Sequence, residues 1–260
     1  MEIATQLQTS LRSTSNPVPS LTWLQTLATS RNPAPPLASL LATARTRLLA
    51  SDLTTPGLLD AQYMAAHSLP PNMPQTLATA RETRLGREVV VQVLDIEDVS
   101  RSRWEEVERL EAVARGEGTR GREVIRVNSS SAADGADGDG EEELAQGGSG
   151  GGGQQQQGEA AGGGQGSAGR NATHKLVVQD CKGQRVHAIE LKRVDKLGVG
   201  TTMIGEKILL RAGTVVARGV VLLDPAQCVV LGGKVEAWHR AWVDGRLARL
   251  REAVGADRRE

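Results

Sequence analysis

The sequence predicts an α+β protein with a small N-terminal helical bundle, a small β-barrel interrupted by a long insertion, and a C-terminal helix. Three observations predict this class. Apolar residues near the N-terminus recur at helical spacing. Short aliphatic runs typical of strands fill much of the remainder. A glycine-rich tract separates the first of these runs from the others. The predicted boundaries are 1–84 for the bundle, 85–233 for the barrel and 234–260 for the helix.

The composition narrows the classes of protein to which the chain can belong. Its 260 residues include 31 Lys and Arg against 31 Asp and Glu, which gives a formal net charge of +0. This balance argues against a polybasic tail protein and an acidic chaperone-like chain. No stretch reaches the ~18 apolar residues of a membrane span, and residues 1–12 lack a signal-peptide pattern. We therefore expect a soluble intracellular protein with no membrane partner.

The N-terminal part is predicted to be helical. Ser20 follows a Pro-Val-Pro sequence and can cap a helix that starts at Leu21. A second, longer helix is predicted after Pro36 because apolar residues then form one stripe at helical spacing. That stripe consists of Leu37, Leu40, Leu41, Ala44 and Leu48. Short helices are marginal alone, so the bundle is expected to pack against another part of the chain.

The strand predictions begin at Glu88. β-branched and aliphatic runs of four to seven residues, separated by Gly, Pro or Asp, are typical of strands. Five or six such strands in a small domain favour a five-stranded OB-fold barrel. The predicted runs are 88–93, 175–179, 186–191, 207–211, 219–223 and 228–231.

An insertion at 94–172 separates the first two predicted strands and is far longer than a hairpin loop. Residues 128–172 hold fifteen of the 30 glycines and one large apolar residue, so we predict that they are disordered. Before them, Ser102 and Glu105 have the spacing of a capping box, which predicts a short helix. Residues 121–127 are predicted to form an extra strand.

The residues that commonly carry catalysis or bind metals form no recognisable pattern. The two cysteines, Cys181 and Cys228, are too few for a disulfide framework or a zinc cluster. The four histidines lack metal-ligand spacing, and no nucleophile, base and orienting residue stand in a catalytic pattern. We predict a protein that is not an enzyme, with no cofactor and no metal. Trp238 and Trp242 in the C-terminal helix are predicted to pack in the core, with contact to a partner helix as the alternative.

Four stretches resemble one known family. They are Val18 to Leu24, Val91 to Ser100, Gly205 to Leu210, and Gly219 to Pro225 followed by Val230 to Val235. In this order, and with an insertion after the first strand, they resemble the RecQ-mediated genome instability protein family, the scaffold subunit of the RecQ helicase–topoisomerase III complex. The sequence ends at Glu260, so we expect neither the second OB domain of longer relatives nor the partner that docks there.

The resemblance implies a nuclear, non-catalytic scaffold that binds topoisomerase III and assembles with a RecQ-family helicase. It further implies that the insertion modulates the topoisomerase's DNA gate during decatenation and double Holliday junction dissolution. Because ordering a glycine-rich tract costs conformational entropy, contacts should concentrate outside it. For the apolar face of the short helix, the alternative is a helix that folds back on the barrel. The predicted topoisomerase-binding residues are Asp98, Ser100, Trp104, Val107, Leu110, Val124, Ile125 and Val127.

The main alternative is an independent OB-fold protein that binds nucleic acid weakly and without sequence specificity. Its phosphate contacts would be Lys182, Arg185, Lys192, Arg193 and Lys196, with Lys207, Arg211 and Arg218 on the same basic face. The predicted strands contain no aromatic residue on which bases could stack. A solvated face balanced by acidic neighbours would explain the same cations. A Tudor-type relative is another alternative, but the sequence contains no visible Tudor segment.

Overall fold

The computed structural model describes residues 2–14, 17–30, 35–117 and 172–257. Three N-terminal helices form a bundle: α1 (Glu2–Arg12), α2 (Leu21–Thr29) and α3 (Leu37–Ala50). Ser20 caps α2 as predicted, since its Oγ accepts a hydrogen bond from the Trp23 amide at 3.2 Å. The bundle core consists of Ala4, Leu7, Leu11, Leu24, Leu27, Leu40 and Ala44.

Two short helices connect the bundle to the sheet. They are α4 (Ala61–Ala66) and α5 (Met73–Thr76). Met73 anchors α5, because its side chain is fully buried in the core of the barrel.

One curled eight-stranded sheet forms a half-barrel. Its strand order is β1-β6-β7-β4-β3-β2-β5-β8, and every pair is antiparallel except β4 with β7. The strands are β1 (Thr83–Arg84), β2 (Val89–Asp98), β3 (His174–Asp180), β4 (Arg185–Glu190), β5 (Lys207–Leu210), β6 (Val215–Ala217), β7 (Val220–Leu223) and β8 (Cys228–Gly232).

The second strand is longer than predicted. β2 continues past Val93 to Asp98, and its register against β3 shifts between Val93 and Asp95. Asp95 and Glu97 are partly exposed while Ile96 is buried, so the alternating carboxylates lie on the wetter face of a continuing strand. The insertion therefore occupies residues 99–173 in the structure.

The bundle packs on one face of the sheet through a second apolar cluster. Leu48 near the end of α3 and Leu53 just after it belong to one cluster with Val90 and Leu209 of the sheet. Gly233 allows this approach, because a Cβ there would lie 2.3 Å from the Leu49 carbonyl oxygen and its φ is +86°. The Gly-Gly sequence at the end of β8 thus allows both the turn and the bundle contact.

The C-terminal helix α7 (Glu236–Asp257) contacts β2 through a hydrogen bond from Trp242 to Asp95. Trp238 and Trp242 pack against the barrel core, which confirms the core-packing prediction for both indoles. None of the helices in the described ranges combines the length and apolar character needed to cross a bilayer.

Candidate partner-binding site

The two ends of the insertion lie side by side on neighbouring strands. Asp98 at the end of β2 pairs with His174 at the start of β3, and the Val99 amide donates to the Thr173 carbonyl at 2.9 Å. The barrel therefore fixes where the inserted segment leaves and where it returns.

Asp98 and Ser100, two predicted binding residues, form a tight turn at this exit. The Asp98 Oδ1 accepts hydrogen bonds from the Ser100 amide at 3.0 Å and the Ser100 Oγ at 2.6 Å. Burial would raise the pKa of Asp98, but these hydrogen bonds and the charges of His174 and Arg101 outweigh it, so the pKa lies below its ordinary value. Asp98 is thus a charged residue that shapes the exit.

The short helix predicted after the exit is present as α6 (Arg103–Ala114). Its capping box is complete: the Glu105 amide donates to Ser102 Oγ at 3.2 Å, and the Ser102 amide donates to Glu105 Oε2 at 2.9 Å. Because both capping hydrogen bonds lie within the first turn of the helix, they favour a helix that starts after Ser102 through local interactions alone.

The predicted contact residues on α6 differ in exposure. Trp104 is 46% exposed, and its Nε1 donates to Glu108 at 2.8 Å. Leu110 is half-buried, whereas Val107 is only 3% exposed. α6 packs against α7, so the helix folds back on the C-terminal helix, whereas the alternative interpretation named the barrel. Of these three side chains, Trp104 is the most exposed and therefore the most accessible to a partner.

Ion pairs join α6 to α7. Glu106 binds Arg246, and Glu111 Oε1 lies 2.7 Å from the Arg251 Nη2. Trp242 continues the contact toward the barrel, because its Nε1 donates to Asp95 Oδ1 on β2 at 2.6 Å. The C-terminal helix thus contacts both the strand before the insertion and the first helix within it.

A buried polar cluster lies on the other side of the exit. The Glu190 carboxylate accepts from the His174 amide at 2.8 Å and from the Val194 amide at 2.9 Å, and it lies 2.7 Å from His174 Nδ1. Arg193 approaches the same His174 nitrogen at 2.8 Å. Burial opposes the charge on Glu190, but these hydrogen bonds lower its pKa. The cluster holds the start of β3 against the loop after β4.

A second polar network ties the barrel to the bundle. Gln92 on β2 accepts from the Leu53 amide at 3.0 Å and donates to Asp52 at 2.7 Å and to Gln179 at 3.1 Å. Lys207 donates to the Ser51 carbonyl at 2.7 Å. Because Lys207 is fully buried, burial lowers its pKa to about 8.

The place of Lys207 corrects one sequence-based expectation. Lys207 does not lie on an exposed basic face, because β5 lies between β2 and β8 and its ammonium group turns to backbone carbonyls. Of the other predicted phosphate contacts, Lys192 pairs with Asp224 at 2.7 Å and Arg193 with Glu190 at 3.4 Å. Lys182, Arg185 and Lys196 are exposed.

Several predictions fall outside the described residues. The extra strand at 121–127, with Val124, Ile125 and Val127, lies there, as does all but Ala172 of the segment 128–172 that is predicted to be disordered. Within the described ranges, no group of three or more His, Cys, Asp or Glu side chains is arranged to hold a metal ion. Cys181 and Cys228 are free, buried thiols.

Comparison with known proteins assigns the fold to a family. The family model for the RMI1 N-terminal OB-fold domain matches residues 70–246, and the model for the RMI1 N-terminal helical domain matches residues 11–56. The chain belongs to the RMI1 family. The matches confirm the predicted resemblance and the predicted helical domain, OB-fold and C-terminal helix.

A curated relative supports the same membership. RecQ-mediated genome instability protein 1 of Schizosaccharomyces pombe is 26% identical over 200 residues, which cover 75% of this chain and 78% of the relative. RMI1 family membership indicates a genome-maintenance scaffold.

Sequence reasoning missed the polar contacts that surround the exit of this RMI1-family insertion. Arg193 is predicted as a phosphate contact, and its meeting with Glu190 and His174 depends on β3 pairing with β4. The alternation of apolar and polar residues in β4 carries a partial signal, because Glu190 falls on the same face as Val186 and Ala188, which are buried.

Proposed function

We propose that this chain is a non-catalytic, nuclear scaffold of a RecQ helicase–topoisomerase III complex. It binds topoisomerase III and modulates its DNA gate through the insertion, which promotes decatenation and double Holliday junction dissolution. RMI1 family membership and the name of the Schizosaccharomyces pombe relative support the genome-maintenance role.

One observation carries the proposal beyond the family name. The insertion leaves and re-enters the barrel at Val99 and Thr173, which are joined by a 2.9 Å hydrogen bond. A segment whose two ends are held together by a rigid sheet can enter a partner's cavity without disturbing the fold that carries it. Loop closure depends only weakly on loop length, so the barrel tolerates a long excursion there.

The test replaces residues 118–171 with a Gly-Ser linker of about twelve residues, which is long enough to rejoin the strands while α6 is kept. Purified wild-type and linker proteins are compared in co-purification with topoisomerase III and in decatenation of linked DNA circles. We expect the linker protein to melt like the wild type and to lose most of the stimulation of decatenation. Full stimulation by the linker protein would contradict the proposed role of the insertion.

A second candidate function, weak binding of single-stranded DNA, is favoured by one cleft. This cleft of about 590 Å³ between α7 and the sheet is lined by Trp238, Trp242, Arg185 and Arg249. It brings indole rings and cations together, although the aromatic residues come from α7 and not from the strands. Asp52 and Asp95 also line it and would repel phosphates.

The DNA candidate has its own test, made without topoisomerase. Binding of an unstructured single-stranded oligonucleotide is measured at several salt concentrations for the wild type and for Arg185→Glu. Arg45→Glu, on an exposed position of α3, is the matched charge control. Steep salt dependence and a loss specific to Arg185→Glu would favour DNA binding through this cleft. Equal weak binding by all three proteins would exclude it.

A further inference from the structure

The first helix of the insertion packs against the C-terminal helix in a parallel arrangement. Glu106 binds Arg246 and Glu111 binds Arg251, and in each pair the two residues are separated by 140 positions in the chain. Because the offset is constant, α6 and α7 run in the same direction and stay in register over more than one turn.

The two ion pairs differ in burial. The side chains of Arg246 and Glu106 are 13% and 11% exposed, whereas those of Arg251 and Glu111 are 58% and 31% exposed. The Arg246 guanidinium also lies 4.8 Å from the centre of the Trp242 ring, at a distance typical of a cation–π contact. Exposed ion pairs contribute little to stability. We therefore expect the buried Glu106–Arg246 pair, together with the buried side chains of Val107 and Leu250, to hold the two helices together.

The C-terminal helix is itself firmly attached to the barrel. The Val235 amide donates to the Ile204 carbonyl at 3.0 Å, and the Ile204 amide donates to His239 at 3.3 Å. Gly205 permits this approach, since a Cβ there would lie 2.5 Å from the Val235 nitrogen. The Trp242–Asp95 hydrogen bond adds a contact to β2 itself. Movement of α7 is therefore restrained from two places on the barrel, the loop before β5 and the strand β2.

We propose that α7 is a positioning element for the insertion, which fixes α6 so that the chain departs for residues 118–171 from a defined point and in a defined direction. A twelve-residue helix is marginal alone and is joined to β2 by the few residues from Val99 to Ser102. Without α7, α6 would fray or swing about that short connection. With α7, the departure point lies about 18 Å along α6 from the barrel.

The proposal is tested in the full chain by the distance between the end of α6 and the barrel. Spin labels are attached to Ala114→Cys on α6 and Ala226→Cys in the turn before β8, both exposed positions. The native cysteines are buried, and labelling of the chain without the new cysteines measures their background. The variants are Arg246→Glu, Glu106→Arg and the combined exchange of both charges. Arg240→Glu, exposed on the same helix, is the matched control.

We expect a narrow distance distribution in the wild type and in Arg240→Glu. Arg246→Glu and Glu106→Arg should each broaden it about twofold, because each places like charges at the contact and allows α6 to open locally. The charge exchange should largely restore the narrow distribution. A broad distribution in the wild type, or no broadening in either single variant, would overturn the proposal.

Folding of the barrel is checked by amide exchange of β3 in the same samples. Should Arg246→Glu lose that protection, Arg251→Glu and its exchange with Glu111→Arg give the same test at the exposed pair. The expected broadening there is smaller, and restoration by the exchange is still required. Absence of broadening in Arg251→Glu would then count against the proposal.

A second readout links α7 to decatenation, and this part rests on the proposed function. We expect Arg246→Glu to retain binding to topoisomerase III and to stimulate decatenation several-fold less than the wild type, with recovery in the charge exchange. If the wild type neither binds nor stimulates the enzyme, the proposed function fails while the distance measurement still decides the role of α7. If stimulation is unchanged although α6 has become loose, the positioning of the insertion by α7 is irrelevant to that activity.

Discussion

The indole Nε1 of Trp242 donates a 2.6 Å hydrogen bond to Oδ1 of Asp95, which joins the C-terminal helix to the strand that leads into the insertion. Trp242→Phe keeps an aromatic ring but removes this donor. Because hydrogen bonds to charged groups are stronger than neutral ones, we expect a loss of about 1.5 kcal/mol in the free energy of unfolding. Urea denaturation measures it. Trp238→Phe is the control, and an equal loss in both variants would show that ring packing dominates.

Alanine substitutions at Gly232 and Gly233 distinguish the cost of backbone strain from the cost of a steric clash. Both have positive φ, at +87° and +86°, but a Cβ at Gly232 meets nothing within 4 Å, whereas one at Gly233 meets the Leu49 carbonyl. We expect Gly232→Ala to cost about 1 kcal/mol from its conformation alone. Gly233→Ala should cost clearly more because it pushes the bundle from the sheet. Thermal melting of both variants tests this. Equal losses of stability would mean that the bundle can shift at little cost to accommodate a side chain at position 233.

The lowered pKa of Lys207 predicts that the protein gains stability at alkaline pH. Its pKa is about 8 in the folded protein because of burial, against an ordinary value of 10.5. Between these values the unfolded chain binds more protons, so the free energy of unfolding should rise with pH, by up to about 3 kcal/mol.

The measurement compares the wild type with Lys207→Met by denaturation from pH 7 to pH 10.5. The buried thiols of Cys181 and Cys228 have raised pKa values of about 11 and so lower stability as pH rises past 9. For that reason the difference between the two proteins, and not either curve alone, carries the test. A difference that stays constant with pH would show that Lys207 is not stabilised in its neutral form.

The lowered pKa of Glu190 predicts that the protein loses stability in acid. Its pKa in the folded protein lies below the ordinary value of 4.5, so its contribution is complete above pH 4.5 and is lost as pH falls through the folded pKa. Glu190→Gln should be about 2 kcal/mol less stable at pH 7, since His174 and two amides lose a charged acceptor. It should also show a flatter dependence on pH between 7 and 3. Parallel curves for the two proteins would contradict this role.

Local patterns were sufficient to predict the elements that depend on local chemistry. The capping box at Ser102 and Glu105 predicted α6 because both of its hydrogen bonds lie within one helical turn. The long aliphatic runs predicted β2, β3 and β4 because burial on one or both faces requires them. By contrast, β1 and β6 have two and three residues, which is too short for any periodicity.

The remaining features depend on contacts between distant parts of the chain. The partner of Glu106 lies 140 positions away, and no local pattern distinguishes Arg246 from the exposed arginines of the same helix. Lys207 resembles a surface cation in the sequence, and only the position of β5 between β2 and β8 shows that it is buried. The contacts of Val124, Ile125 and Val127 remain a prediction.

The most direct test of the scaffold function is a photo-crosslinking measurement on the assembled complex. A photoreactive amino acid is placed at Val124 in the insertion, and at Leu21 on the bundle as a control of similar apolar character. We expect a crosslink to topoisomerase III from position 124 and none above background from position 21. A crosslink from position 21 alone, or from neither position in a complex that has formed, would contradict it.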